Sequence, residues 1–501
     1  TTAFRIGTSD VPADYLAASL DEVALYNALL SAASVSAHHA ARAWTDVSAD
    51  LVASKELTWG RGINGEGPTD RVAEAGAAQA WLRNDAGNSG AKQGYYSPGH
   101  VDVRAGFTHG ILARIAVTYG GTEYPQFLGK IEHIDPEPGQ YRSQRTRIHV
   151  SDWMADLIEA DLRNVTLQTS QTEDALLRTL IEAIPVTSQP LALRLDAGVD
   201  TIPYAFHNLG AGMKAIRPAA DLAISSMGFL YMTSEGFLRY ENRNGRQTAV
   251  SVYTLNNTMK DLVIPTSLEG VYNRIRLTLH PKRIDDAATT VLFSIPVVST
   301  TNVATIKVSP SATIDVWGDY FKSADPEVKI GGTAQVTPAA TTDYTGNTAS
   351  DGTGTDKTAQ LTVTATYFAT TVKFTITNAD AADVWVTKLQ CRGKGLYDEA
   401  PQTVEDLSTQ PYGERPINID LPYQSDPAIA RDLAAYLLAQ YEDPAFRALS
   451  LTFDPQRSDA LMLAATGSDP GDPPATLRRR PRGTRAQERP QCTTDGRAAD
   501  G

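Results

Sequence analysis

The sequence predicts a mainly β, multidomain chain: an α+β platform, built as a β-barrel or sheet hub with packed helices, interrupted by an inserted β-sandwich. Three observations carry this expectation. Residues 412–444 (YGERPINIDLPYQSDPAIARDLAAYLLAQYEDP) hold an alternating strand, a capped helix and the start of a returning strand. A unit this short cannot bury both its faces alone. Residues 271–279 (VYNRIRLTL), more than a hundred positions upstream, alternate cleanly and form the expected partner strand. Between the two, from about residue 281 to 400, helix formers thin out and Thr, Val and Gly dominate.

Each element follows from local chemistry. Ile417, Ile419 and Leu421 share one face of a strand, while Asn418 and Asp420 point the other way. Asp426 can cap a helix that opens on Pro427, whose fixed φ suits the first helical position. Ile429, Leu433, Tyr436 and Leu437 form an apolar stripe, and Asp443 with Pro444 stops the helix. In the partner strand Val271, Ile275, Leu277 and Leu279 fall in frame, and Arg274, Arg276 and Thr278 fall out of it.

At 501 residues the chain has room for three or four domains. Charged residues make up 21% and apolar ones 42%, which argues against global disorder. A formal charge of −13 argues against nucleic-acid binding, which needs a basic surface to replace counterions. Cys391 and Cys492 lie far apart, so neither a disulfide framework nor a cysteine metal cluster is expected. No apolar run is long enough to span a bilayer. No signal peptide is legible, and because the chain opens on Thr1 rather than Met an upstream part is expected.

In chain order, FRIG at 4–7 and residues 20–26 read as strands, followed by a short helix that carries His38 and His39. GRGING at 60–65 matches G-x-G-x-x-G formally, but a polar turn follows where a dinucleotide fold needs a helix, so it reads as a loop. Residues 110–119 and 124–131 form a hairpin, and 145–150 a strand. Ser151 is expected to cap a helix with Trp153, Met154, Leu157 and Ile158. SQTE at 170–173 fits a capping box for a helix with Leu176, Leu177, Leu180, Ile181 and Ile184 on one face. A third helix near 218–227 runs into a tight hairpin turning at Gly236. The inserted part shows strands at 291–298, 303–308, 328–331, 359–365, 372–378 and 384–392. Its loop at 341–356 carries Asp343, Asp351 and Asp356, weak candidates for a calcium loop whose competing reading is a solvated turn. After Thr466 the apolar pattern stops, and seven arginines without a lysine follow. This end is expected to be disordered or an out-of-frame reading of a GC-rich gene rather than a binding tail.

Two resemblances add to this reading. FRIG with LDEVALYNALLSAASVSAHHA at 20–40 resembles the closing segment of a laminin-G-like, concanavalin-type jelly roll, a family that binds glycans or proteins. The match covers structural residues, not ligand loops, and implies a remnant. YSPG (96–99), YGGTEYPQFLGKIE (119–132), HVSDWMADL (149–157), MGFLYMTSEGFLRYENR (227–243), VYNRIRLTL and YGERPINIDLPY (412–423) together resemble the tail-hub and minor tail proteins of long-tailed phages and prophages. That resemblance implies a ring-forming β scaffold, such as a trimer, in a virion tail. It would join tail tube to tip, with other tail proteins and a host-surface glycan as partners. The implied domains are 1–42 (jelly-roll remnant), 43–280 (platform), 281–407 (inserted sandwich), 408–465 (returning platform) and 466–501 (Arg/Pro-rich tail).

No H-E-x-x-H, G-x-S-x-G, P-loop or Cys/His ligand spacing is present. The expectation is therefore a non-enzyme without cofactors. Arg274, Arg276, Tyr412 and Arg415 are the interface candidates by position. A carbohydrate-binding adhesion protein and a tail-borne glycan hydrolase are the alternative classes, the latter because a carboxylate pair is defined by separation in space.

Overall fold

The computed structural model describes residues 44–65, 67–119, 122–139, 143–162, 165–207, 209, 212–245, 260–263, 268–296, 305–322, 325–408, 412–443 and 450–452. The jelly-roll remnant, Cys492 and the arginine-rich end lie outside these residues. The chain divides into Thr1–Asp50 and Leu51–Gly501. Of the first unit, 44–50 are described; they contain a 3-10 turn at Ser48–Asp50, where Asp46 Oδ1 accepts from the Ser48 amide at 2.8 Å.

The second unit is mainly β, with four α-helices among its described residues. It opens with a five-stranded antiparallel sheet in the order Thr58–Gly60, Ala77–Arg83, Arg145–Ser151, Thr122–Glu137, Leu112–Tyr119. Alternation places Ile148 and Val150 in the core and Arg147 and His149 outside, as their spacing predicts. The long strand Thr122–Glu137 shifts register between Ile131 and His133, so Ile131 and Ile134 are both buried although they are three apart.

Three helices, α1 (Trp153–Glu159), α2 (Glu173–Glu182) and α3 (Ile216–Ser226), share one core, which Leu128 of this sheet joins. Asp152, not Ser151, caps α1 by accepting from the Met154 amide at 3.0 Å. The capping box expected at 170–173 does not form, because α2 begins one residue after its cap, Thr172. Glu173 is therefore the first helical residue, too early to reach back. Glu173 is buried and accepts instead from the Asp200 amide at 3.1 Å, beside the two-pronged ion pair of Asp200 with Arg243. Leu176, Leu177, Leu180 and Ile181 share the buried face of α2 as expected.

At the end of α3, Met227 takes a left-handed conformation (φ +56°), and the Gly228 amide reaches back to the Ala223 carbonyl at 2.9 Å. The strained residue is fully buried, and Arg71 donates to its carbonyl at 3.1 Å. The hairpin Phe229–Met232 with Leu238–Glu241 follows, its turn using Gly236 at φ +80°. A side chain at Gly236 would strike Leu128 and Trp153, so this turn sits directly on the first sheet and α1.

The third core belongs to the central platform sheet. Its middle strand, Arg274–Leu279, pairs parallel with Pro416–Leu421 (Ile275 opposite Ile417, Leu277 opposite Ile419) and antiparallel with Gln402–Leu407. The pairing that the sequence predicts is present. Ile275, Leu277, Leu279, Ile419 and Leu421 point to one side, where α4 (Pro427–Tyr441) covers them with Ala430, Leu433, Ala434 and Leu437. Asp426 caps α4, accepting from the Ala428 amide at 2.7 Å, with Pro427 in the first turn. Met227 packs into this same core and so ties α3 to it.

Between the two halves of the sheet lies a β-sandwich with its own core, including Leu292, Phe293, Val372, Phe374, Ile376, Val384, Val386 and Leu389. One layer is organised on the long strand Val384–Asp398, which pairs with Lys282–Ile284, Thr290–Ile295, Ile306–Val308, Gly331–Thr333 and Tyr344–Asn347. The other layer has the order Thr313–Asp319, Thr371–Asn378, Leu361–Tyr367. The sandwich leaves the platform as a two-stranded ribbon. Arg274–Leu279 with Gln402–Leu407 continues, past Pro281 and Pro401, into Lys282–Ile284 with the end of Val384–Asp398.

Two outcomes check this account. Leu277→Ala removes a fully buried side chain from the central sheet and is expected to cost about 2–5 kcal/mol in denaturant unfolding. A change below about 0.5 kcal/mol would mean the strand is not a core element. The second concerns pH. Burial raises the Glu173 carboxyl from 4.5 to about 7, so the folded state holds its proton more tightly than the unfolded chain. That stability is complete below pH 4.5 and is lost as pH rises through 7. Glu173→Gln should therefore gain on the order of 1–3 kcal/mol at pH 8 and little at pH 4. Equal effects at both pH values would refute the assignment.

Candidate functional site

The outer face of the central sheet carries two of the interface candidates. Arg274 and Arg276 project away from the core because they alternate with Ile275 and Leu277. Both donate to Glu405 on the neighbouring strand, Arg276 Nε to Oε2 at 3.0 Å and Arg274 Nε to Oε1, and Arg274 Nη1 also reaches Glu414 at 2.8 Å. The arginines hold the Glu405 carboxyl below its ordinary range, Arg274 first. Arg415 points along the sheet end: Nη1 donates to the Leu268 carbonyl at 2.9 Å, and its amide donates to Asn273 Oδ1 at 2.7 Å. Tyr412 is half-buried in the turn that leads to the parallel strand. The face is thus a charge-balanced ladder, with Leu407 exposed at its margin (49%). Glu405 and Glu414 were not legible as members, since partners 129 to 140 residues apart leave no local signal.

A second polar cluster sits where ribbon and platform meet. Asp398, at the end of the sandwich's long strand, takes a hydrogen bond from Lys282 and stands 3.4 Å from Nε2 of the buried His207. His207 and Lys282 together hold the Asp398 carboxyl below its ordinary range, while burial pushes the His207 imidazole down. Close by, His280 Nε2 is 2.6 Å from Asp420 Oδ1 on the parallel strand. Two hydrogen bonds to backbone carbonyls reinforce the junction: the Ala369 amide donates to the Val165 carbonyl at 3.0 Å, and the Thr370 hydroxyl donates to the Leu209 carbonyl at 2.7 Å. These contacts fix the sandwich on the platform.

The calcium-loop candidates are not brought together. Asp343 is 1% exposed and accepts from Arg392 Nε (2.6 Å) and Nη2 (2.9 Å), Gln390 Nε2 (3.1 Å) and the Ala339 amide (2.9 Å). Burial pushes its carboxyl up, but these hydrogen bonds outweigh it and hold the group below its ordinary value. Asp351 and Asp356 instead close local turns on Thr353 and Thr358. Among the described residues no three His, Cys, Asp or Glu side chains gather as a metal would require. The glycine-rich stretch at 60–65 is a loop followed by no helix, and a side chain at Gly65 would collide with the Asp70 carboxylate.

Among the described residues three carboxylates have raised pKa values, where an acid catalyst would be sought: Asp152, Glu173 and Asp221, the last pushed up by burial despite its ion pair with Arg217. Asp152, driven to about 7 by burial, caps α1. Glu173, also near 7, is buried behind α2. Asp152 holds a helix start, Glu173 accepts from the Asp200 amide, and Asp221 pairs with Arg217. No described helix is long and apolar enough to cross a membrane.

No family model and no curated protein matches the sequence. Among solved structures the chain is similar to the 43 kDa tail protein of prophage MuSo2 from Shewanella oneidensis, at 14% identity and a TM-score of 0.28, over 44% of this chain and 60% of that one. It is also similar to a tail protein from Neisseria meningitidis, at 9% identity and a TM-score of 0.26, over 68% of this chain and 97% of that one. A third is a prophage tail protein from Listeria monocytogenes, at 5% identity and a TM-score of 0.27, over 46% and 58%. The matched part thus spans less than two thirds of the Shewanella and Listeria chains. Overlaps this loose define neither the fold nor the role of the present chain.

Asp343→Ala should destabilise the sandwich by about 1–3 kcal/mol, because it leaves the Ala339 amide, Gln390 and the half-buried Arg392 without their shared acceptor. Asp351→Ala and Asp356→Ala should stay within about 0.5 kcal/mol. The measurement is a set of melting curves with calcium and with chelator. A calcium-dependent rise in melting temperature that Asp351→Ala abolishes would restore the metal reading.

Proposed function

We propose that this chain is a non-enzymatic structural component of a phage or prophage-derived tail tip, a baseplate hub that joins the tail tube to host-contacting parts. The observation that carries the reading is the closure of one sheet by Arg274–Leu279 and Pro416–Leu421 around an intact sandwich. Such a chain offers a platform for assembly and a second domain held on it by a short ribbon. The six ordered segments that resemble tail-hub proteins, from YSPG to YGERPINIDLPY, fall on the platform side of that closure.

The domain limits follow the same division, with the sandwich at 281–407 set between platform parts 43–280 and 408–465, except that Gln402–Leu407 pairs with Arg274–Leu279 and goes with the platform sheet. In a homo-oligomeric ring, such as a trimer, the outer edges of the central sheet would meet a neighbouring copy, since unpaired strand edges invite pairing. Tyr412 and Arg415 would then lie at the rim, with Arg274 and Arg276 beside it on the outer face of the middle strand, where paired charges set register more than affinity. Other tail proteins are the partners and the virion tail the location. A glycan hydrolase gains no support, because Asp152 and Glu173 are both engaged in packing.

The test is to purify particles from the source cells and locate this chain by mass spectrometry and gold labelling. The expected result is enrichment with the particles and label at one tail end, together with rings of the isolated chain in electron micrographs. Label elsewhere, or its absence from particles that carry other tail proteins, would sink the proposal.

A further inference from the structure

The outer layer of the sandwich has one feature that packing does not explain. In Thr313–Asp319 the inward residues Ile314 and Val316 pack against the core, and Trp317 faces out. Its side chain is 52% exposed, on the edge strand of a face otherwise made mostly of threonines and charged groups. An indole left this open on a polar sheet is unusual, since Trp has more apolar surface to hide than any neighbour here. The ring is nonetheless held in place. Phe368 stacks on it, with centroids 5.6 Å apart and planes 14° from parallel, and Lys373 Nζ lies 5.9 Å from its centre.

Around this aromatic plate the register sets a grid of hydrogen-bonding groups. Thr375 lies opposite both Asp315 and Thr364, and Lys373 lies opposite both Trp317 and Thr366. Asp315 accepts from Thr375 Oγ1 at 2.7 Å and pairs with Lys373 Nζ at 2.8 Å, while Asp319 pairs with Lys329 at 2.7 Å. Both acids are therefore matched by lysines, and the face carries no net charge. That excludes a polyanion, which would need an excess of cations. Rows of alternate residues are about 7 Å apart along a strand and about 5 Å apart between strands. Such spacing suits a hexose ring lying on the indole with its hydroxyls over Asp315, Lys373 and Thr366.

We propose that the Thr313–Asp319, Thr371–Asn378, Leu361–Tyr367 face is a binding site for a neutral saccharide, with Trp317 as its stacking plate, Phe368 as the plate's support and the Asp315–Lys373 pair as its hydroxyl partner. A pyranose has one face of C–H groups and a rim of hydroxyls. It can cover the indole without leaving polar groups unpaired, whereas an apolar partner would desolvate the Asp315–Lys373 pair. The proposal goes beyond the joining role put forward for this chain, giving it a glycan contact of its own, and rests on that reading for its setting alone. A single plate binds weakly, and repetition around an assembly would multiply it.

The test uses the purified full chain on an array of neutral oligosaccharides, including glucans, galactans and N-acetylglucosamine oligomers, followed by titration of tryptophan fluorescence with any retained sugar. Trp317→Ala is expected to lower affinity at least tenfold and Asp315→Asn several-fold, with circular dichroism unchanged in both. Trp81→Phe, on the first sheet, should leave affinity as it is. Absence of binding to every neutral sugar at millimolar concentration would overturn the proposal, as would binding indifferent to Trp317→Ala. It would also fall if Trp317→Ala turned an oligomer into monomers without affecting sugar binding, because the face would then be a contact between copies. None of these outcomes depends on where the chain sits in a particle, so sugar binding can fail while the tail assignment stands, and the reverse.

Discussion

The structure depends on a strand with partners from far along the chain on both sides. Arg274–Leu279 hydrogen-bonds to Gln402–Leu407 and to Pro416–Leu421, and neither pairing can form until the intervening chain has come back. Closing so long a loop would be costly if it stayed flexible, although the cost grows only slowly with length. Here the loop is not flexible, because residues 292–391 bury a core of their own and return the chain beside its exit. The central sheet then gains its apolar cover from α4, which follows directly on the last strand. Sequence order, folding order and packing are thus coupled. The sandwich brings the chain ends together, and the sheet uses what the sandwich supplies.

Much of the platform was legible because local and distant signals agree there. Asp426 and Pro427 start α4 where cap chemistry says, and the alternation in 271–279 and 416–421 gives both strands their inward faces. The strand Gln402–Leu407 was harder to see. It is an edge strand with only Val404 packed into the core, so it lacks the hydrophobic alternation that marks a strand, and a reading by composition put it at the end of the insertion. The start of α2 was misread for a different reason. The motif at 170–173 has the right letters, but Glu173 is drawn inward by the Asp200 amide, and burial decided where the helix begins.

The candidate sites show the same boundary. Spacing along the chain suggested that Asp343, Asp351 and Asp356 might share a cation, but Asp343 is taken up by Arg392, a partner 49 residues away. Two-sided pairing across sheets is invisible to any local reading, and so were Glu405 and Glu414 beside Arg274. Trp317 lies in a strand, Thr313–Asp319, that the sequence reading did not mark. Its exposure was not legible either, since only the layer's position in the sandwich decides which face meets water.

The two-stranded ribbon has one more consequence. Because the insertion enters and leaves as paired neighbours, with Lys282 opposite Asp398, its ends are a strand's width apart and point the same way. Any other folded unit with adjacent termini could be spliced at that point without disturbing the sheet below. The junction is a socket at which one inserted domain could be exchanged for another.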